Sequence, residues 1–245
     1  MTAGALLLAA SAALILGPLC AMVGTRSRAV SQLIDGFSLV VIGGICLLVV
    51  LPHVATEIGV YGVLLAVVGL VLPWVGHYQT RSKGTVCGSI AHSDPSSELP
   101  LCLNMLDGSV NLVSKKERRT VKAKDFQVGM LSTLCKPYEI IESVFFPFDK
   151  EIQKVAFSEF SFRKGDFSIV SVGIIRKKDK IIIGVTGLQE TPYVEDIPIL
   201  QKNEIEDYLY DLSNKFIGFD DHISSFNYKR VLFRNIAKKT IYEVI

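Results

Sequence analysis

Residues 165–188 read GDFSIVSVGIIRKKDKIIIGVTGL, and this stretch carries the clearest local folding signal in the chain. Two runs rich in Val and Ile flank the charged segment RKKDK, residues 176–180. β-Branched residues favour strands, and a short charged segment between two such runs is typical of a turn. The stretch therefore predicts an antiparallel hairpin.

Two amphipathic helices are predicted after this hairpin. In KNEIEDYLYDLSNKF, residues 202–216, helical spacing places a set of apolar side chains on one face. These are Ile205, Tyr208, Leu209, Leu212 and Phe216. The stretch SSFNYKRVLFRNIAKKTIYEV, residues 224–244, predicts the second helix, with Ser224 or Ser225 as its N-cap. Strands followed by packed helices indicate an α+β fold with a small antiparallel sheet.

A second hairpin is predicted further upstream. The dipeptide Asp107–Gly108 marks a turn, and SVNLV, residues 109–113, then alternates as a strand does. The charged segment KKER, residues 115–118, separates it from a returning run that begins at Thr120. Residues 107–123 are therefore expected to form a small antiparallel pair.

The composition of the chain is uneven along its length. The protein has 245 residues, a formal net charge of +2 and a mean hydropathy of +0.39. A net charge this small gives no reason to expect a nucleic-acid partner. Up to position 80 the charged residues are Arg26, Arg28, Asp35 and Glu57. The apolar excess therefore belongs to the N-terminal third.

Three uncharged runs occupy that N-terminal third: residues 1–25, 36–56 and 58–80. Each is long enough to cross a bilayer as a helix. We therefore expect two to three transmembrane helices within residues 1–80, bound to the lipid bilayer. The third run can also be read as a short soluble helix and strand that lead into the following loop.

The basic residues between these runs predict an orientation. Arg26 and Arg28 follow the first run, and Arg81 and Lys83 follow the third. By the positive-inside rule the N-terminus lies outside, and residues 81–245 are cytoplasmic in a membrane protein.

Residues 31–70, SQLIDGFSLVVIGGICLLVVLPHVATEIGVYGVLLAVVGL, resemble the early helices of ZIP-type metal transporters. The resemblance is loose and covers about residues 1–72. His53 stands near the end of the second run, where a single His cannot form a transport site. It is read as an interfacial His, and no metal site is predicted.

The reactive side chains do not form a catalytic pattern. Five cysteines are present, with no CxxC pair and no zinc or iron–sulfur spacing. This usage favours a reducing compartment. Neither paired catalytic carboxylates nor a nucleophile with its base can be identified, so no catalytic residue is predicted. His92 is read either as a phosphate or flavin contact or as a polar turn residue.

A glycine-containing loop follows the apolar region: RSKGTVCGS, residues 81–89. Three further stretches accompany it in order, at residues 128–147, 162–174 and 227–241: VGMLSTLCKPYEIIESVFFP, FRKGDFSIVSVGI and NYKRVLFRNIAKKTI. Together they resemble the FAD-binding subunit of the molybdenum hydroxylases, the group that includes xanthine and carbon monoxide dehydrogenases. The resemblance covers residues 74–245.

The resemblance implies a set of FAD-binding residues. In this family a loop of this type lies against the FAD pyrophosphate, where glycines allow close approach and successive N–H groups bind the anion. Carboxylates that follow it face the adenosine end. The implied cofactor-binding residues are Thr85, Val86, Gly88, Ser89, Asp94 and Glu98. The chain departs from the family at Cys87, where glycine is usual.

The resemblance also implies a domain layout. Residues 81–140 would form the second half of an FAD-binding domain, and residues 141–245 the C-terminal α+β domain. The family's first glycine-rich loop has no counterpart in residues 1–72. Because the family's site uses two such loops, we expect FAD binding by this chain to be weak or absent.

The implied function is that of an oxidoreductase component. It would pass electrons from a [2Fe–2S] partner through FAD to an acceptor. The implied partners are a molybdopterin-binding large subunit and a [2Fe–2S] small subunit. The alternative is a membrane protein fragment related to ZIP transporters with an appended non-catalytic domain.

Overall fold

The computed structural model describes residues 67–147 and 149–245. Its helices are α1 Tyr78–Arg81, α2 Val86–His92, α3 Glu98–Met105, α4 Ala123–Phe126, α5 Ile205–Lys215 and α6 Phe226–Tyr242. Its strands are β1 Ser109–Val113, β2 Arg118–Lys122, β3 Gln127–Gly129, β4 Ser132–Thr133, β5 Ile140–Phe145, β6 Lys154–Phe160, β7 Val170–Arg176, β8 Lys180–Thr186 and β9 Tyr193–Pro198.

The C-terminal sheet is an antiparallel meander in the order β6–β7–β8–β9. Strands β7 and β8 form the hairpin predicted from residues 165–188, with Arg176 opposite Ile181 next to the turn. Every residue of β7 from Val170 to Ile175 is buried, because both faces of the sheet are covered. The predicted hairpin is confirmed.

One face of this sheet packs against α5 and α6. Alternate strand residues such as Val172, Ile174 and Ile183 share a core with Leu209 of α5 and Phe233 of α6. The predicted apolar face of α5 is confirmed, since Ile205, Leu209 and Leu212 are all buried. Of the two serines proposed as the N-cap of α6, the structure uses Ser225, whose hydroxyl accepts a hydrogen bond from Tyr228 N at 3.2 Å.

The other face of the sheet packs against α3. Here Leu101 and Met105 join Phe157, Ile175 and Ile182 in a second core. Helices therefore cover both faces of the sheet. The helix that covers the second face comes from the segment that contains the glycine loop.

A three-stranded sheet, ordered β2–β1–β5, forms the other layer. The pair β1–β2 is the hairpin predicted at residues 107–123, with Val110 opposite Val121. Strand β5 pairs antiparallel with β1, so the predicted boundary between residues 140 and 141 falls at the start of a strand of this sheet. The short pair β3–β4 lies between β2 and β5 in the chain.

The third apolar run, residues 58–80, does not form a single helix in its described part. Residues 67–71 are helical, residues 72–76 are turn and bend, and α1 begins at Tyr78. Pro73 lacks the N–H that a continuing helix requires, and Gly76 has a φ of +57°. A membrane helix that reaches residue 80 is therefore wrong.

The side chains of this segment contact the rest of the domain. Val67 and Val71 are buried in the core that contains Leu101 and Met105, and Trp74 packs against it. Among residues 67–147 and 149–245, no helix is both long and apolar enough to cross a membrane. The first two apolar runs, His53 and the ZIP-like stretch up to residue 66 lie outside the described residues.

Candidate FAD-binding site

The glycine loop leads directly into α2. Thr85 is the N-cap of this helix, and its Oγ1 accepts a hydrogen bond from the backbone N–H of Gly88 at 2.9 Å. The backbone of Thr85 is extended, with φ −127° and ψ 155°, as an N-cap residue requires. The hydroxyl therefore fixes the first turn of the helix, where N–H groups without helical partners are available to an anion.

Gly84 and Gly88 are the glycines of this loop that are packed closely. A Cβ atom at Gly88 would lie 3.0 Å from Thr85 Oγ1, and one at Gly84 would lie 3.1 Å from the carbonyl oxygen of Thr80. A side chain at position 88 would therefore disturb the capping hydroxyl. Cys87, which stands where the family has glycine, is half-buried on α2.

The helix α2 is linked to the start of α3 by two serines. Ser89 Oγ and Ser97 Oγ lie 3.3 Å apart, and Ser97 is the N-cap of α3. Glu98 is the first residue of α3, and only 3% of its surface is exposed. The loop and the Glu98 carboxyl are thus held on two helices that contact each other.

Burial changes the protonation of two carboxyls near this junction. Desolvation raises the pKa of Glu98 to about 7, and repulsion from Glu159 and Asp94 adds to the effect. Desolvation also raises the pKa of Glu159, at the end of β6, to about 7. Neither carboxyl forms an ion pair with any Lys, Arg or His in the described part of the chain. Carboxyls without a cationic partner can accept hydrogen bonds from the hydroxyl groups of a bound molecule.

Asp94 has a different environment from Glu98. Its Oδ1 accepts a hydrogen bond from Ser96 N at 2.8 Å, which closes a turn between α2 and α3. It lines a cavity of about 410 Å³ that also contains the exposed side chains of Met130, Phe162 and Phe167. The Asp94 carboxylate therefore binds the backbone of its own turn, and the structure does not place it with the loop glycines.

His92 lies at the far end of α2 from Thr85. Its ring stacks on Phe167, with ring centroids 6.2 Å apart and an interplanar angle of 28°. In the described structure His92 therefore contacts this aromatic ring and not the glycine loop.

The turn that carries Asp94 is anchored at Ser93. Ser93 is fully buried and has a φ of +57°. Its carbonyl oxygen accepts hydrogen bonds from Gln127 Nε2 at 2.8 Å and Leu131 N at 3.1 Å. Its hydroxyl donates to the carbonyl oxygen of Ser132 at 3.1 Å. These bonds tie the linker between α2 and α3 to the β3–β4 hairpin.

The structure thus groups four of the six predicted residues. Thr85, Gly88 and Ser89 lie on one short segment, and Glu98 adjoins it through Ser97. Asp94 is turned toward the neighbouring cavity, and Val86 presents an exposed apolar side chain to solvent.

Glu159 is not among the site residues predicted from the sequence. The signal was available in the alternation of FSEFS, residues 157–161, because residues 157 and 159 share one face of a strand. Phe157 lies in the core beneath α3, so a carboxyl two residues later had to point toward the same layer.

The described residues fit a flavin nucleotide better than a metal. Glu159 Oε2 is buried and has no hydrogen-bond partner, which leaves an acceptor for a hydroxyl donor. The capped start of α2 offers N–H groups beside small residues. Among residues 67–147 and 149–245, no group of three or more His, Cys, Asp or Glu side chains could hold a metal ion.

This arrangement defines the class as a mixed α/β domain with a glycine-containing loop that leads into a capped helix. Comparison with known proteins gives a finer description. Residues 38–149 match the family described as the FAD binding domain in molybdopterin dehydrogenase. The match begins well upstream of residue 74, where the resemblance was expected to start. The predicted resemblance to the FAD-binding domain of molybdenum hydroxylases is supported, and FAD is the cofactor that the comparisons support.

Curated relatives extend the similarity toward the C-terminus. The chain is 31% identical over 183 residues to the nicotine 6-hydroxylase medium subunit of Paenarthrobacter nicotinovorans, covering 69% of this chain and 63% of the relative. It is 27% identical over 182 residues to the glyceraldehyde dehydrogenase medium chain of Sulfolobus acidocaldarius, covering 69% and 64%. The chain therefore spans less than two thirds of the length of these relatives.

Solved structures show the same fold. Quinoline 2-oxidoreductase from Pseudomonas putida 86 superposes with a TM-score of 0.65 at 22% identity, over 71% of this chain and 64% of that chain. Carbon monoxide dehydrogenase from Hydrogenophaga pseudoflava superposes with a TM-score of 0.66 at 19% identity, over 74% and 68%. At these identities the likeness establishes the fold alone.

Proposed function

We propose that this protein is the FAD-binding, electron-transferring subunit of a molybdenum hydroxylase-type dehydrogenase. The observation that carries the proposal is the capped glycine loop at Thr85 and Gly88, joined through Ser89 and Ser97 to the buried carboxyl of Glu98. An anion site beside a buried hydrogen-bond acceptor suits a dinucleotide, which has a pyrophosphate next to sugar hydroxyls.

The residues of the chain bind and orient the cofactor. The N–H groups at the start of α2 and the hydroxyls of Thr85 and Ser89 would hold the pyrophosphate. The carboxyl of Glu98 would accept a hydrogen bond from a ribose hydroxyl. Bound FAD supplies the electron-transfer chemistry, because the isoalloxazine ring accepts and releases electrons. No side chain of the described residues needs to act as a proton donor or nucleophile in this role.

The proposed partners follow from the relatives, which are described as medium subunits and medium chains. Such a subunit would receive electrons from a [2Fe–2S] small subunit that is reduced by a molybdopterin-binding large subunit. It would pass them to an acceptor. Oxidoreductase activity would then belong to the assembly, and this chain would supply the flavin component.

The test is the visible spectrum of the purified full-length chain. We expect the flavin absorbance of the chain reconstituted with FAD to bleach when a reduced [2Fe–2S] partner protein is added without oxygen. Flavin that remains oxidised with a reduced, functional partner would contradict the electron-transfer role. A chain that contains no flavin and cannot be reconstituted with FAD would contradict the cofactor assignment.

A further inference from the structure

Glu159 carries an unusual buried oxygen. Its Oε1 accepts a hydrogen bond from Ser161 Oγ at 3.3 Å, whereas its Oε2 is buried without any hydrogen-bond partner. A buried acceptor without a donor destabilises a protein, because the group has lost its water and gained nothing in return. Five buried side-chain polar atoms of the described residues lack a partner, and Glu159 Oε2 is the carboxylate oxygen among them. Such an atom is a reason to look for a ligand.

The position of Glu159 relative to Glu98 points toward the proposed cofactor site. Glu159 lies at the end of β6 on the same face as Phe157, which packs beneath α3. Glu98 begins α3 two residues after Ser96, whose carbonyl oxygen accepts a hydrogen bond from Ser168 Oγ at 3.2 Å. Ile169 N, next to Ser168, donates to the carbonyl oxygen of Phe160, next to Glu159, at 2.8 Å. The Asp94 carboxylate is the other negative charge that repels Glu98. Within the described residues, none of the three carboxyls of Asp94, Glu98 and Glu159 forms an ion pair with a Lys, Arg or His side chain.

We propose that Glu159 is a second carboxyl of the cofactor site, which binds hydroxyl groups of FAD together with Glu98. This inference rests on the proposed function and adds a residue to it. Hydroxyls are donors without a net charge, so they can satisfy two nearby carboxyls that a cation does not reach. The hydroxyls of FAD belong either to its ribityl chain or to its adenosine ribose.

A ligand-binding role and a structural role predict opposite effects on stability. Replacing Glu159 with Leu removes a buried polar atom that has no partner, so the protein without FAD should keep or raise its thermal midpoint. Ser161 keeps a partner in this variant, because the carbonyl oxygen of Arg163 lies 3.0 Å from its Oγ and can accept its one hydroxyl hydrogen. The same variant should bind FAD about tenfold more weakly, because one hydrogen bond to the ligand is lost.

The experiment measures FAD affinity by calorimetric titration and thermal unfolding without FAD, for the full-length wild type and three variants. Glu159→Leu should lose affinity without losing stability, and Glu159→Gln should restore most of the affinity because it keeps an acceptor oxygen. Glu195→Gln is the matched control. It changes a carboxyl on β9, at the opposite edge of the same sheet, where Glu195 pairs with Lys215 at 2.9 Å. It should leave FAD affinity unchanged.

Parallel titrations assign the source of the hydroxyls. ADP carries the ribose and FMN carries the ribityl chain, so the ligand whose affinity falls in Glu159→Leu identifies the group that Glu159 binds. Unchanged FAD affinity in Glu159→Leu, or affinity and stability that fall together, would overturn the inference and leave the proposed function standing. A wild-type chain that binds no FAD would overturn both.

Discussion

Met105 and Gly184 lie in direct contact where α3 crosses the C-terminal sheet. A Cβ atom added to Gly184 would lie 2.6 Å from Met105 Cγ, and one added to Gly173 on the neighbouring strand would lie 2.7 Å from Met105 Sδ. The two glycines face each other across β7 and β8. They form the recess that admits the methionine, and this contact joins the glycine-loop segment to the C-terminal sheet.

The first prediction concerns this recess. Gly184→Ala should destabilise the protein by about 1–3 kcal/mol, because the added methyl group overpacks the contact with Met105. In a Met105→Ala background the same substitution should cost less, because the space is then empty. Thermal or urea unfolding of the two single variants and the double variant measures this coupling.

Gly69→Ala is the control for that cycle, since the residue is helical and no atom of residues 67–147 and 149–245 outside its own helix lies within 4 Å of the Cβ position. It should leave stability unchanged or raise it slightly. Equal costs of Gly184→Ala in the two backgrounds would show that Met105 does not occupy the recess.

The second prediction concerns Arg119 and Glu139. Arg119 donates to both carboxylate oxygens, Nε to Oε1 and Nη2 to Oε2, each at 2.8 Å. These bonds lower the pKa of Glu139 from its ordinary 4.5 to about 2. The stabilisation is therefore complete above about pH 4.5 and is lost as the pH falls toward about 2.

Arg119→Met should lower the thermal midpoint at neutral pH, because the buried Glu139 carboxylate loses its partner. The decline in stability between about pH 4.5 and pH 2 should become shallower. Arg118→Met is the matched control, because the neighbouring ion pair of Arg118 with Glu142 is exposed. Arg118→Met should change the thermal midpoint and its pH dependence only slightly. Equal effects of the two substitutions would contradict the assignment.

The third prediction concerns the segment 141–245. All residues of the core between the C-terminal sheet and α5–α6 lie within it, from Ala156 to Ile245. The segment should therefore unfold cooperatively when it is expressed alone. Without α3, the opposite face of the sheet is uncovered, so the segment should bind a hydrophobic dye and melt at a lower temperature than the full chain. A non-cooperative thermal trace would count against an independent domain.

Local sequence signals predicted the elements of the fold better than their packing. The runs of Val and Ile around residues 176–180 and the apolar spacing of α5 fix a hairpin and a helix by themselves. The recess for Met105 depends on two glycines that are 11 positions apart in sequence and become neighbours only after strand pairing. Such a contact has no local signature.

The candidate site also combines features that have a local sequence signal with features that depend on tertiary packing. The loop from Gly84 to Ser89 could be read from its glycines and hydroxyls, and the structure places Thr85 as the N-cap of α2. The orientation of Asp94 could not be predicted from the sequence, because it depends on the turn at Ser93 and on the hydrogen bond from Gln127. Glu159 is 61 positions from Glu98, and the segments that carry them are linked only in the folded domain, through hydrogen bonds from Ser168 and Ile169.

Membrane attachment remains a prediction about residues 1–57. Their uncharged runs should hold the full-length chain in the membrane fraction after an alkaline wash. Fractionation of the full-length chain tests this prediction. Full-length protein that washes off at alkaline pH would contradict the attachment.

FAD titration of the purified full-length chain tests the central claim most directly. The described residues include one loop of the kind proposed to bind the pyrophosphate, so we expect one-to-one binding with a dissociation constant on the order of micromolar or weaker. Gly88→Val should abolish it, because a side chain there meets the Thr85 hydroxyl and covers the N–H groups of the first turn. No saturable binding by the wild type up to about 1 mM FAD, or wild-type affinity in Gly88→Val, would contradict the account.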